Sequence, residues 1–280
     1  MPTVSIAGSG TPIEDEYRRL CEAIGRCKPQ QIAFDPSPYA PEAILRAREM
    51  WRARMQAEYA SVPVFIGLAL QLGQANATLD AQAVVLRMAA DEVRHAEICG
   101  EAVRSLGGEP TCTVAADAAP LPTYPGCGAE ERALRNVIFG NCLVEVVNTA
   151  NLVDLHDGTS DPCLREAVRR LLADEVLHGS FGFDYLRAWT PWLDANAGVR
   201  PSIDRFLRRA FAELERLKGG AEAAACAQSA DELALGIPAH ERLPQVFYQT
   251  VEAAIVPALE AFGFEAGAAW RARSLDAPTD

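Results

Sequence analysis

The chain has 280 residues, 49% of them apolar, and 26 Lys and Arg face 38 Asp and Glu for a formal charge of −12. That length suits one helical domain with additions rather than two full domains, and the apolar share is ample for a sizeable core. The acidic balance argues against a nucleic-acid partner, which needs a basic face, and weighs against a tRNA substrate.

Met1–Gly10 shows neither a basic n-region nor a long apolar h-region, so no signal peptide is expected. The longest apolar run, about Val62–Leu72, is too short to span a bilayer, so no membrane partner is expected either. The eight cysteines (21, 27, 99, 112, 127, 142, 163 and 226) include no Cys-x-x-Cys pair. A cytoplasmic chain with reduced thiols is the expectation.

In chain order, residues 1–40 carry one short helical pattern, Ile13–Ile24, and then the turn-rich Asp35-Pro36-Ser37-Pro38. Pro41 suits a helix start, and a helix is predicted from there to about Leu72, with Trp51, Met55, Glu58, Val62 and Phe65 on one stripe. Pro63 inside it is expected to kink the helix or free a carbonyl. Gly73–Thr78 is a turn. A second helix follows to about Leu106, and Gly107-Gly108 ends it. Residues 108–128, rich in Gly, Pro, Ala and Thr, read as a long crossover loop. A third helix is predicted over Ala129–Leu155. Asp161-Pro162 reads as N-cap and first turn of a fourth, which should reach Ala188 before Pro191. Beyond it, Ser202–Lys218 is amphipathic, Ala221–Ala227 is alanine-rich, and Pro244–Phe262 is apolar on one face with Pro257 inside.

Asp-Glu-x-x-His occurs twice, at Asp91-Glu92-Val93-Arg94-His95 and Asp174-Glu175-Val176-Leu177-His178, both inside predicted helices. Residues three apart share a helix face, so each Glu and His can bind one metal ion together. A further Glu precedes each pair on a separate helix: Glu58 lies 34 residues before Glu92, and Glu145 lies 30 before Glu175. The two halves repeat one plan, a helix with Glu followed by a helix with Asp-Glu-x-x-His. Six inward polar groups at matching heights are costly to bury unless a cation joins them. Carboxylate oxygens with imidazoles favour Fe or Mn over soft-metal chemistry.

The set Glu58, Glu92, His95, Glu145, Glu175 and His178 resembles that of the ferritin-like di-iron carboxylate proteins. There a four-helix bundle contributes one Glu from each of two helices and Glu-x-x-His from each of the other two. The resemblance covers about residues 41–190. It implies an all-α fold: a ferritin-like four-helix bundle over 41–190, an N-terminal extension over 1–40, and accessory helices over 191–280 that pack on the bundle or mediate a dimer. It implies two Fe ions, with Mn or mixed Fe/Mn open. It implies that Asp91 orients His178 and Asp174 orients His95 across the bundle, with Arg94 paired to one of them. The form Asp-Glu-x-Arg-His is similar to that of di-iron monooxygenases and arylamine N-oxygenases. Thr149, four residues past Glu145, matches a monooxygenase threonine implicated in O2 activation; the other reading is a hydroxyl bonded to its own helix backbone. Leu177, where the second motif should have Arg, and Leu171, where N-oxygenases carry an extra His, depart from the N-oxygenase pattern.

The expectation is a non-haem di-iron oxygenase or oxidase. It uses O2 and an external electron donor to hydroxylate or N-oxygenate a small organic substrate. Ferroxidase or peroxide-scavenging activity, and a metal-stabilised interaction module without catalysis, are the alternatives. Small residues beside the ligands, Ala96, Cys99, Gly179 and Gly182, are read either as room for a substrate or as close helix packing. Tyr185 is a candidate for electron transfer or for core packing. His156 and His240 are expected to lie away from the metals.

Overall fold

Four long helical segments carry the chain in a computed structural model that describes residues 3–5, 18–19, 22, 32–113, 121–219 and 228–276. Helix α1, Pro41–Gln74, starts on an N1 proline. Asn76, in the left-handed region at φ 54°, turns the chain into α2, Leu79–Ser105. Gly107, at φ 76°, ends α2. The N–H of Gly108 closes back onto Val103 O at 2.9 Å and that of Gly107 onto Arg104 O at 3.0 Å, a two-bond C-cap that satisfies the last carbonyls. The third segment is α3, Ala129–Val137, then a π-helical stretch, π1, Ile138–Glu145, then α4, Val146–Gly158. Asp161 caps α5, Pro162–Ala195, by accepting from Leu164 N at 3.0 Å, with Pro162 just inside.

One expectation about proline fails: α5 runs through Pro191 to Ala195 rather than stopping before it. Pro63 likewise lies inside the continuous helix α1. Each proline removes one intrahelical N–H, but burial of Leu193 (1% exposed) beyond Pro191 keeps the last turn helical. The loop expected over 108–128 also holds a short strand, β2. Thr111–Thr113 pairs antiparallel with β1, Thr3–Ser5, in the register Val4↔Cys112. Gln56 fixes β2 to α1, donating to Thr113 O and accepting from Thr113 N at 2.7 Å. The fold is otherwise helical.

Helix α1 packs on α2, α2 on α5, α5 on the third segment, and the third segment back on α1, closing a ring. Its interior holds two apolar clusters. One contains Trp51, Met55, Ile98, Leu152, Leu155 and Leu171. The other contains Phe65, Met88, Val137, Cys142, Phe181 and Tyr185. Along α1 the break between them falls between Met55 and Phe65, along α2 between Ala89 and Ile98, and along α5 between Leu171 and Phe181. The candidate ligands occupy that break, a polar layer between two dry ones. Each large side chain buried beside it contributes about 1.5–3 kcal/mol, which offsets the cost of burying the polar layer.

The C-terminal helices are α6, Val199–Lys218; α7, Ala230–Ala234; α8, Arg242–Thr250, running through a second π segment, π2, Val251–Ile255, into α9, Val256–Glu260; and α10, Ala266–Arg271. Pro257 stands at the π2–α9 junction inside this continuous run, where it removes one intrahelical N–H. Helix α8 packs on α4, while α6 and π2 both touch π1. Phe211, Phe247, Val251 and Trp270 extend the second apolar cluster. The short helix α7 is held by a capping box of Ser229 and Glu232. It presents Leu235 O to the buried Trp51 Nε1–H at 3.0 Å. Ala129–Gly158 has the length and apolarity to cross a membrane, a property not anticipated from the sequence. It is nonetheless half-buried in this fold and carries a buried Glu145. Of the pattern over Ile13–Ile24, Arg18, Arg19 and Glu22 are described and helical. Arg18 pairs with Glu97. Ala221–Ala227 lies outside the described residues.

Candidate metal centre

The four long segments bring all six candidate ligands into the polar layer. Ligand atoms of Glu58, Glu92, His95 and Glu175 lie within 4.8 Å of one another, and so do those of Glu145, Glu175 and His178. The Glu-x-x-His spacing puts each Glu one turn from its own His. The close approach of α2 and α5 then lets each Glu reach the other helix's His as well. Glu92 sets Oε2 3.8 Å from His95 Nδ1 and Oε1 3.1 Å from His178 Nδ1. Glu175 sets Oε1 3.2 Å from His95 Nδ1 and Oε2 3.4 Å from His178 Nδ1. Both carboxylates thus span the two imidazoles, one oxygen to each. Glu58 Oε2 is 3.5 Å from His95 Nδ1 at one end of the layer, and Glu145 stands at the other.

The far ring nitrogens face aspartates. His95 Nε2 is 3.3 Å from Asp174 Oδ2, and His178 Nε2 is 3.9 Å from Asp91 Oδ2. Arg94 pairs with Asp174 across the helices and lies 3.9 Å from Asp91, while Arg87 Nε donates to Asp91 at 3.0 Å. An Nε2–H turned toward a carboxylate leaves the Nδ1 lone pair for the centre, the tautomer a metal ligand needs.

Electrostatics divide the four glutamates into pairs. Burial pushes Glu145 well above the usual carboxylate range, with Glu175 and Glu92 adding to it, and burial likewise raises Glu58. Burial acts the same way on Glu92 and Glu175, but the His178 and His95 imidazoles beside them outweigh it and hold both below the usual range. Burial alone would lower the histidines. Against it, Asp91, Glu175 and Glu92 push His178 up to about 12, and Glu175, Glu58 and Glu92 raise His95 well above its ordinary value. Burial thus works against charge on Glu58 and Glu145, while the neighbouring carboxylates favour charge on both histidines.

The donor set fits a metal site. Four carboxylates and two imidazoles are hard and borderline ligands suited to Fe or Mn. His95 Nδ1, His178 Nδ1 and Glu175 Oε2 are buried and have no hydrogen-bond partner of good geometry, although each points into the layer. Buried polar atoms rarely stay unmatched, and a metal ion answers all three.

The third segment reaches the layer through π1. The widened turn ends at Glu145, and such segments concentrate at functional sites. Nothing in the run Ile138–Glu145 marks it in the sequence. Against it packs Gly182, where an added Cβ would fall 2.6 Å from Cys142 Sγ and 2.8 Å from Cys142 N. At Gly179 an added Cβ would meet Thr149 Oγ1 at 3.4 Å and Val146 at 3.6 Å, an ordinary contact. Gly182 is thus the glycine that close helix packing requires. Thr149 sits with Oγ1 2.8 Å from Glu145 O and 3.1 Å from Glu175 O, so its hydroxyl is directed to backbone carbonyls. His156, beside Asp157, and His240, whose N–H donates to Gln228, lie outside the layer. Tyr185 packs between Phe181 and Trp189, at centroid distances of 5.9 and 5.3 Å.

A cavity of about 720 Å³ runs between α1 and the third segment, lined by Glu58, Glu92, Glu145 and Glu175 together with Phe65, Leu68, Phe139 and Val144. Arg54, Asn148, Asn151 and Lys218 add polar groups. Lys218 Nζ donates to Asn148 Oδ1 at 2.8 Å, and Asn148 Nδ2 donates to Glu145 Oε2 at 3.3 Å. Sequence reasoning did not single out these four, because a basic or amide residue on a helix carries no spacing signal of its own. Gly179, Gly182, Ala96 and Cys99 do not line this cavity.

The chain matches no family model and no curated protein.

Proposed function

We propose that this protein is a two-metal oxygenase or oxidase built on a ferritin-like four-helix bundle over residues 41–190, acting on a small organic molecule. The observation that carries the reading is the pair of buried carboxylates, Glu92 and Glu175, each reaching both His95 and His178. An isolated metal site needs no such sharing, whereas two adjacent ions do. Two irons held by these six residues would supply the electrons that activate O2 for substrate oxidation.

The chain's own part is to hold, orient and enclose. Asp91 and Asp174 keep each His Nδ1 aimed inward. The two apolar clusters shield the layer from water above and below. Glu145 and Glu58, held above the usual carboxylate range by burial, close the donor set at its two ends. The cavity favours an organic substrate over iron itself: it is about 720 Å³, has an apolar wall and opens directly on the four glutamates, the form of a small-molecule site.

Anaerobic Fe(II) titration followed by O2, with iron counted and products analysed, tests this. Two Fe(II) per chain, and O2 uptake coupled to oxidation of an added organic molecule, would support an oxygenase. Continued oxidation of many further irons per chain, with no organic product, would make the protein a ferroxidase. Iron bound equally well by Glu92→Ala and Glu175→Ala would sink the ligand assignment.

A further inference from the structure

We propose that the cavity beside the centre takes an elongated apolar molecule bearing one carboxylate, and that Arg54 holds that carboxylate. The proposal rests on the reading of the centre as a two-metal site and names the substrate class of that site.

Arg54 precedes Glu58 by one turn of α1, about 6 Å along the axis, and both line the cavity. Other arginines of α1 have acidic partners: Arg46 pairs with Glu232, and Arg48 and Arg52 with Glu49. Arg54 instead lies over the Trp51 ring, 5.2 Å from its centroid. Its Nη1 is buried without a hydrogen-bond partner, and no ion pair joins it among the described residues. Glu58 does not neutralise it, being turned to His95. A guanidinium cannot shed its proton to relieve the position. A buried donor of this kind costs stability until an acceptor arrives, and a carboxylate matches its fork best.

Charge points the same way. The charged groups lining the cavity are four glutamates, Arg54 and Lys218. Two divalent ions would cancel the glutamates and leave the two cations, so the loaded cavity prefers an anion. Shape supplies the rest. The lining extends from Met50 to Leu68 on α1 and from Asn136 to Leu152 on the third segment, which is about 25 Å at helical rise. Arg54 and Asn151 lie toward one end, Glu58 and Glu145 midway, and Phe65, Leu68 and Phe139 toward the other. A molecule anchored at Arg54 passes the metals and ends in the apolar half. The carbon it presents to them lies several bonds from the carboxylate.

The test uses the Zn(II)-loaded protein, which is redox-inert, and calorimetric titration with octanoate, octanol and octylamine. Zinc is counted first in wild type, Arg54→Met and Arg54→Lys; two zincs per chain tests the centre independently. Octanoate should bind wild type at least tenfold more tightly than octanol, with octylamine weakest. Arg54→Met should lose tenfold or more for octanoate and nothing for octanol. Arg54→Lys, keeping charge but not the fork, should fall between. Octanol binding as well as octanoate overturns the proposal. So does octanoate binding unchanged in both variants, which would mean direct coordination to zinc. Arg54-dependent octanoate binding without zinc uptake would uphold the anchor and refute the two-metal reading.

Discussion

On the two-metal reading, Glu175 and Glu145 would differ in the number of ions they serve, and that difference can be measured. Glu175 belongs to both groups of ligand atoms and Glu145 to one. Glu145→Ala is expected to leave a one-ion protein, and Glu175→Ala to lose both ions. An ion that binds only the folded chain stabilises it by about 2.7 kcal/mol at a hundredfold excess over Kd. For a chain of this size, 1 kcal/mol moves Tm by about 2–4 °C. Mn(II) at that excess should therefore raise the wild-type Tm by about 10–20 °C, Glu145→Ala by about half as much, and Glu175→Ala hardly at all. Circular dichroism with and without metal, alongside metal counting, reads all three. The metal-free baseline adds a second arm. Burial, with Glu175 and Glu92 nearby, keeps a proton on Glu145 in the fold that the unfolded chain gives up. That difference is absent below the ordinary carboxylate pKa and destabilises the fold increasingly as pH rises above it. Metal-free Glu145→Gln should thus exceed wild type in Tm at pH 7 and match it at pH 4. Two ions and a full thermal shift in Glu175→Ala would refute the sharing of its carboxylate.

Three other outcomes are expected. Gly182→Ala drives a methyl into Cys142 Sγ and the Cys142 backbone and should cost about 1–3 kcal/mol in urea unfolding. Gly140→Ala, with nothing within 4 Å, should cost nothing or stabilise slightly; equal effects would undo the packing argument. Metal loading should release protons near neutral pH and tighten as pH rises from 6 to 8, because His178, pushed up to about 12, and His95 must both give up a proton; an indicator dye in weak buffer showing no proton release would contradict this. Ser229→Ala removes the α7 cap and should cost about 1 kcal/mol. The Ser229 backbone N–H, helped by Arg46, holds Glu232 below the usual range. The Glu232 contribution is therefore present above the ordinary carboxylate pKa and lost as pH falls through the lowered one; an undiminished Glu232→Gln penalty at pH 3 would count against it.

Local rules carried much of the helical layout. Pro41, Asp161-Pro162 and Gly107-Gly108 act through bonds within a few residues, so the starts of α1 and α5 and the end of α2 stand where the sequence puts them. Pro191 misled because the last turn of α5 is held by Leu193 in the core, a contact no local rule contains. Spacing from Glu145 gives Thr149 a helix face but not an acceptor, and it is the tertiary structure that sets its hydroxyl against the Glu145 and Glu175 carbonyls. The π stretch before Glu145 is equally invisible in the sequence.

By itself the sequence determined which residue types share a helix face, because the i,i+3 relation of Glu92 with His95 and of Glu175 with His178 is set by backbone geometry alone. Only the tertiary structure decided that Glu92 and Glu175 each serve both histidines, that aspartates stand behind the imidazoles, and that Arg54 faces a cavity without a partner. Those relations depend on the height at which one helix meets another. That height is set by the summed packing of two apolar clusters, a property of the whole interior rather than of any short stretch of chain.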